Sequence, residues 1–221
     1  MKRARIERLG RRDYVETWQA MSRFTATRDA TSHDRLWIVE HPAVYTLGRN
    51  GRREHLLRLD QTPLVETDRG GQVTWHGPGQ IVVYPLLDLR RLDLGVRDLV
   101  SRLEQAVVDL LAARGIDGRP RRDAPGVYVD GAKIAALGLR ITRGCSYHGL
   151  SLNVANDLAP FDRIDPCGYR DLAVTRLHDL GCDDPVERVG DELAARLIEN
   201  IYKAPTGKGS APSGSRDNPD G

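Results

Sequence analysis

Lysine is almost absent from this chain. Of 33 basic residues only Lys2, Lys133, Lys203 and Lys208 are lysines, and three of these lie at the termini. Lys133 therefore stands alone in the body of the sequence. Arginine is always charged, whereas a buried lysine can shift its pKa and trade a proton. Two readings of Lys133 stand side by side: a residue left over from drift toward arginine, or a site whose chemistry arginine could not perform. Cysteine is sparse too. Cys145, Cys167 and Cys182 are odd in number and lack CxxC spacing. That argues against a disulfide framework and for a reducing, cytoplasmic compartment. No His/Cys set has zinc spacing, so no metal is expected. No apolar run approaches the ~20 residues that cross a bilayer. The basic start, Met1 to Glu7, lacks the apolar core of a secretory signal. A net charge of only +2 disfavours a nucleic-acid partner, which would ask for a clustered basic face.

Glycine is abundant in one place. Arg69 to Gln80 holds four glycines and Pro78, then leads into the apolar run Ile81 to Tyr84. Such a segment cannot belong to a regular helix. It suits a backbone that turns sharply and lets a ligand approach. Arg69 and His76 place a fixed cation and a titratable group at its edges. A hairpin connection with ordinary turn chemistry is the plainer alternative.

Around this loop the pattern mixes strands and helices. Arg3 to Leu9 alternates weakly, as an edge strand does. Asp13 is placed to cap a helix in which Tyr14, Trp18, Met21 and Phe24 recur at helical spacing. Leu36 to Glu40, Val44 to Gly48 and Pro63 to Thr67 read as strands, with a helical turn between Arg49 and Leu59. Gln80 to Leu89 reads as a strand that Pro85 should mark as bulged or at an edge. Val96 to Arg114 has the clearest helical stripe, closed by Gly115. Asp130-Gly131 between alternating runs signals a hairpin, and a three-strand meander from Gly126 to Val154 follows. Asn156 to Tyr169 reads as loop. Val174 to Leu180 and Val186 to Tyr202 read as helices. The 221 residues suit one domain or two small ones; the division expected is one unit over 1–203 and a disordered tail over 204–221. The hairpins argue against strict βαβ winding and for an α+β, mixed-sheet class.

Cys167, in Pro166-Cys167-Gly168 on a loop, is the leading nucleophile candidate. Cys145 and Cys182 read as packing. A thiol with an ordinary pKa of ~8.5 is mostly protonated at neutral pH. Lys133, His76 or His148 could favour the thiolate, and a neutral, desolvated lysine could take its proton and later return it. Sequence alone does not show which of these residues meet.

Several segments, matched in order between about Leu36 and Leu180, resemble the octanoyltransferases of lipoate biosynthesis. They are the Arg69 loop, Gly131 to Leu139, Ser146 to Asn153, and Asp165-Pro166-Cys167-Gly168-Tyr169. The resemblance implies the fold shared with lipoate and biotin protein ligases: a larger mixed sheet, a smaller sheet and packed helices. It implies Cys167 as the acyl-thioester nucleophile and Lys133 as its partner; His148 is a candidate supporting group on the residue reading alone. It implies a substrate pocket lined by Arg69, Gly70, Gly71, Gln72, Val73, Thr74, Trp75 and His76, by Ala136, Leu137 and Gly138, and by Gly149, Leu150 and Ser151. The implied donor is octanoyl-acyl carrier protein. The implied acceptors are lysines on lipoyl domains of 2-oxoacid dehydrogenases and on the glycine cleavage H protein. No cofactor or nucleotide is implied, because thioester to amide runs downhill. At ~0.8 kcal/mol per buried CH₂, the tail could contribute roughly 5 kcal/mol to recognition. Two rivals carry different chemistry: an ATP-dependent lipoate or biotin ligase, and a Cys-dependent thioesterase.

Overall fold

A computed structural model describes residues 3–166 and 172–203. Cys167 and the expected tail over 204–221 lie outside the described residues. In chain order the elements are β1 (Arg5–Arg11), α1 (Tyr14–Thr27), β2 (Arg35–Glu40), β3 (Val44–Leu47), β4 (Leu64–Glu66), β5 (Val73–His76) and β6 (Gln80–Leu86). Then follow α2 (Leu89–Leu92), α3 (Val96–Ala112), β7 (Arg119–Pro120), β8 (Gly126–Val129), β9 (Ala132–Thr142), β10 (Cys145–Asn153) and α4 (Val186–Ile201). Seven strands form one mixed sheet in the order β1-β2-β6-β10-β9-β8-β7, and three form a smaller sheet, β4-β3-β5.

Strand alternation explains the layers. Leu36, Ile38, Ile81, Val83, Leu150 and Leu152 point to one face and pack against α3 and α4 in the main core. Their neighbours Trp37, Val39, Val82 and Tyr84 point to the other face, where Met21 of α1 meets them. The small sheet keeps a separate cluster of Tyr45, Leu47, Val73, Trp75 and Phe161. Asp13 caps α1 as its position suggests, accepting from the Glu16 N–H at 3.0 Å.

The meander is built on two tight turns. Asp130-Gly131 and Arg143-Gly144 all have positive φ, the requirement of a type I′ hairpin loop. They deliver β8, β9 and β10 as antiparallel neighbours.

Two expectations need correction. Pro85 is neither at a bulge nor at an edge: it sits in β6, paired opposite Leu36 of β2 in the middle of the sheet. The ladder between β6 and β10 ends at Val83 and Leu150, so Pro85 has no N–H to offer where none is needed. Ser146 substitutes from the side, its hydroxyl donating to the Pro85 carbonyl at 2.6 Å. Val174 to Leu180 is not a helix. Val174 makes a parallel bridge to Lys133, and only a 3-10 turn at His178–Leu180 follows.

Candidate active site

Between the second face of the large sheet, the small sheet and the start of α1 lies a cavity that opens to solvent. Val82 and Tyr84 of β6, Ala136 and Gly138 of β9, and Gly149 and Ser151 of β10 line its floor. Val73, Thr74 and His76 of β5 line the facing wall. Strand register orders the rest. Leu152 pairs with Ala135 and Gly149 with Gly138. Lys133 and Asn153 therefore mark one end, and His148 the other. Phe161, Pro166 and Val174 also line the cavity.

Of the residues singled out from sequence, Arg69, Gly71, Gln72, Val73, Thr74 and His76 border this space, as do Ala136, Leu137, Gly138, Gly149, Leu150 and Ser151. Gly70 and Trp75 do not. Gly70 donates its N–H to Leu139 at 2.9 Å and faces a separate cleft beside Asp68 and Arg140. Trp75 alternates away from His76 and meets the Phe161 ring edge-on, centroids 5.8 Å apart. Alternation alone does not separate Trp75 from the lining, since Val73 shares its face and still borders the cavity; a contiguous motif does not display which of its side chains reach the space. Cys145 is buried on β10, and burial raises its thiol pKa, so it stays protonated.

Lys133 is 3% exposed. The extended segment after the cavity rim grips its backbone: Lys133 N–H donates to Ala173 at 2.8 Å, and Thr175 N–H donates to Lys133 at 3.0 Å. Its Nζ donates to the Pro125 carbonyl at 3.2 Å and lies 5.2 Å from the Tyr128 ring centroid. Gly126 makes room for it. A Cβ there would stand 3.1 Å from Lys133 Cε, on a backbone of φ +144°. Behind this lies Glu104, which accepts from Gly126 N–H at 2.9 Å. Burial raises the Glu104 carboxyl pKa more than the Gly126 hydrogen bond and the Lys133 charge lower it.

Three imidazoles are buried here: His76 and His148 line the cavity, and His41 lies beside His76, ring centroids 6.0 Å apart. His41 donates Nδ1–H to the Arg12 carbonyl at 2.7 Å, so its Nε2 accepts from Tyr84 O–H at 2.8 Å. Burial lowers its pKa to about 4. His76 stacks on Tyr14 at 5.8 Å, and burial chiefly, with His41 next, lowers it to about 3. His148 adopts φ +56°, which a non-glycine residue rarely takes. Its Nε2 lies 2.8 Å from Asp68 Oδ1, and its buried Nδ1 has no partner among the described residues. Burial lowers the His148 pKa against the pull of Asp68. Asp68 also accepts from Trp18 Nε1 at 2.8 Å and from the Tyr147 hydroxyl. Arg69 is buried and tied to the small sheet, donating to Thr46 O at 2.6 Å and to Thr46 Oγ1 at 2.8 Å.

Sequence reasoning missed Tyr14, Tyr84, Asp68, Gln80 and Asn153. Tyr14 and Tyr84 look like core residues by spacing. The other three carried a readable signal only in standing beside or within the segments already singled out.

The lipoyl protein ligase A/B catalytic domain model matches residues 13–198. An octanoyltransferase of Halorhodospira halophila is 62% identical over 196 residues, 89% of this chain and 90% of that protein. Among solved structures, the bipartite lipoate protein ligase of Thermoplasma acidophilum superposes with a TM-score of 0.73 at 18% identity, over 91% of this chain and 85% of that one. The biotin protein ligase of Aquifex aeolicus in complex with biotin and ATP gives 0.58 at 15% identity, over 90% and 71%. These two show a shared fold. The family model covers most of the chain, and a relative far above chance identity spans nearly its whole length, so this chain belongs to the lipoyl protein ligase A/B catalytic domain family.

Proposed function

We propose that this chain is an octanoyltransferase of lipoate biosynthesis, working through a cysteine thioester and without ATP. The observation that carries the proposal is a buried lysine at one end of a largely apolar cavity. From Lys133 to Gly138 is five strand residues, or about 16 Å at ~3.3 Å each. An extended eight-carbon chain fits that length with its carboxyl end toward Lys133. The 62% identity to a named octanoyltransferase supports the same reaction over ligation.

The steps follow from the groups in hand. The Cys167 thiol gives its proton to the Lys133 amine. The thiolate attacks the thioester carbonyl of octanoyl-acyl carrier protein. The carrier thiolate leaves and takes the proton from Lys133. In the second half, a lysine amine of a lipoyl domain attacks the enzyme thioester, an amide forms, and the departing Cys167 thiolate recovers through Lys133 the proton that the amine gives up. Each half breaks one acyl bond and forms one, so no nucleotide is consumed. Lipoyl domains of 2-oxoacid dehydrogenases and the glycine cleavage H protein are the acceptors this reading names, and the cytoplasm is its compartment. Residues 1–203 form its catalytic unit.

The test mixes the protein, octanoyl-acyl carrier protein and an apo lipoyl domain with no nucleotide. Octanoylated domain should appear, and intact mass should show one octanoyl adduct, mapped to Cys167. Cys167→Ser should form no thioester adduct. Lys133→Arg should slow adduct formation at least ten-fold, because a guanidinium cannot cycle its proton. Product that appears only with ATP would establish a ligase. Free octanoate in place of octanoylated domain would establish a thioesterase.

A further inference from the structure

Two buried amides join the His76 wall of the cavity to the Lys133 wall. Gln80 and Asn153 are 1% and 5% exposed. His76 Nδ1 lies 2.7 Å from Gln80 Oε1. Gln80 Nε2 lies 3.3 Å from the Trp75 carbonyl and 2.8 Å from Asn153 Oδ1. Asn153 Nδ2 lies 3.0 Å from the Thr175 carbonyl. Thr175 N–H in turn donates to Lys133 O.

The polarity of this chain has one solution. A backbone carbonyl only accepts, so the Asn153 end that faces Thr175 O must be its NH₂. The Asn153 oxygen then faces Gln80, whose facing end must also be NH₂. The Trp75 carbonyl demands the same orientation of Gln80 independently. The Gln80 oxygen is left for His76, so His76 Nδ1 carries the proton. Its Nε2 keeps a lone pair, with no partner among the described residues, on a side chain that borders the cavity.

We infer that Gln80 and Asn153 are positioning residues, a fixed-polarity relay that holds His76 as an acceptor toward the cavity and clamps the Ala173–Thr175 segment along Lys133. The relay deepens the acyl-transfer reading and rests on it for its catalytic meaning. A cavity acceptor calls for a donor on whatever binds opposite it, which is the chemistry of a thiol or an incoming amine and not of an acyl tail. The neutral state of His76 agrees, since a protonated ring would present a donor on both sides. Its other charged or titratable neighbours are Tyr14 from α1, His41, Arg69 and His148.

Long-range ¹⁵N–¹H NMR on the full chain labelled with ¹⁵N-histidine reads the tautomer directly, with His76→Gln assigning the signal. His76 should be Nδ1–H at pH 7 and remain neutral to pH 5. Gln80→Glu, which places a carboxylate at Nδ1, should bring its titration above pH 5. Asn153→Asp puts an oxygen against Thr175 O. It should lower kcat for octanoyl transfer at least ten-fold while KM for octanoyl-acyl carrier protein changes less than two-fold. An Nε2–H tautomer in the wild-type protein overturns the relay, and that measurement needs no variant to fold. An Asn153→Asp enzyme with wild-type kcat overturns it equally. If the tautomer is as stated but the wild-type protein transfers no octanoyl group, the acyl-transfer reading fails and the relay stands.

Discussion

Asp68 shows how much one side chain can hold. Its carboxylate takes hydrogen bonds from Trp18 on α1 and from Tyr147 and His148 on β10. Burial acts to raise its pKa, but those three donors, His148 foremost, outweigh it and leave the group below its ordinary 3.8. The sign of the consequence follows. A depressed carboxylate adds stability that is complete above the unfolded value and is lost as pH falls from there through the folded one. Asp68→Asn keeps the shape but offers one acceptor where the carboxylate offered two, and its NH₂ faces a donor. The change should cost about 2–3 kcal/mol in urea unfolding at pH 7. It should also flatten the acid limb, where the depressed carboxylate takes up its proton as pH falls below the ordinary 3.8. Equal stability of the two proteins at pH 7 would show that the network carries no net energy. Asp68 stands beside the Arg69 segment, but nothing in the sequence named its partners, which lie 50, 79 and 80 residues away.

At the level of elements, β6 and β10 meet through a glycine. A Cβ on Gly149 would stand 2.0 Å from the Val83 carbonyl oxygen and 2.6 Å from Pro85 Cδ. Both contacts are backbone or ring, so neither can rotate away. Gly149→Ala should therefore destabilise the fold by at least about 3 kcal/mol, through strand separation and not through a lost contact. Adding Pro85→Ala should not restore it, since the Val83 carbonyl remains in place. Full rescue by that second change would mean that the ring alone sets the spacing. The same glycine borders the cavity, so one residue serves pairing and the approach of a ligand at once. Sequence made the elements legible where local chemistry decides them: the Asp13 cap, the Asp130-Gly131 hairpin turn and the apolar stripe of α3. It failed where partners decide. Pro85 looked like an edge residue because the ladder's local end at Val83 is invisible in one strand. Val174, Leu177 and Leu180 have helical spacing, yet the backbone of Lys133 offers Val174 a strand partner and wins. The glycine-rich motif announced its position but not which of its side chains reach the cavity, and Trp75 packs with Phe161 in the small-sheet cluster.

Across the whole molecule, the buried imidazoles set an acid limit. His41 and His76 fall to about 4 and about 3 because burial penalises the charged ring, and His148 is lowered for the same reason. Above the ordinary value of 6.5 both folded and unfolded chains hold these groups neutral. Below it the unfolded chain takes up protons that the folded chain refuses. Stability is then complete above about pH 6.5 and falls as the solution is acidified toward the folded values. At pH 5, each of His41 and His76 removes about 2 kcal/mol, from ~1.4 kcal/mol per unit over ~1.5 units. Two such groups make a loss of about 4 kcal/mol, a large part of the 5–15 kcal/mol that holds an ordinary domain together. Urea unfolding between pH 7.5 and 5 should show this loss, above the range in which ordinary carboxylates are mostly protonated. His41→Gln keeps a polar side chain but cannot charge. It should remove about half of the pH dependence in that window, whatever it does to stability at pH 7.5. A wild-type curve that stays flat down to pH 5 would mean that the rings find water or a counter-charge on protonation. The arrangement has a reason in the proposed chemistry. A site that holds an acyl chain away from water must be dry, and the same burial keeps His76 neutral in its wall, so acid works against the dry cavity and the fold together.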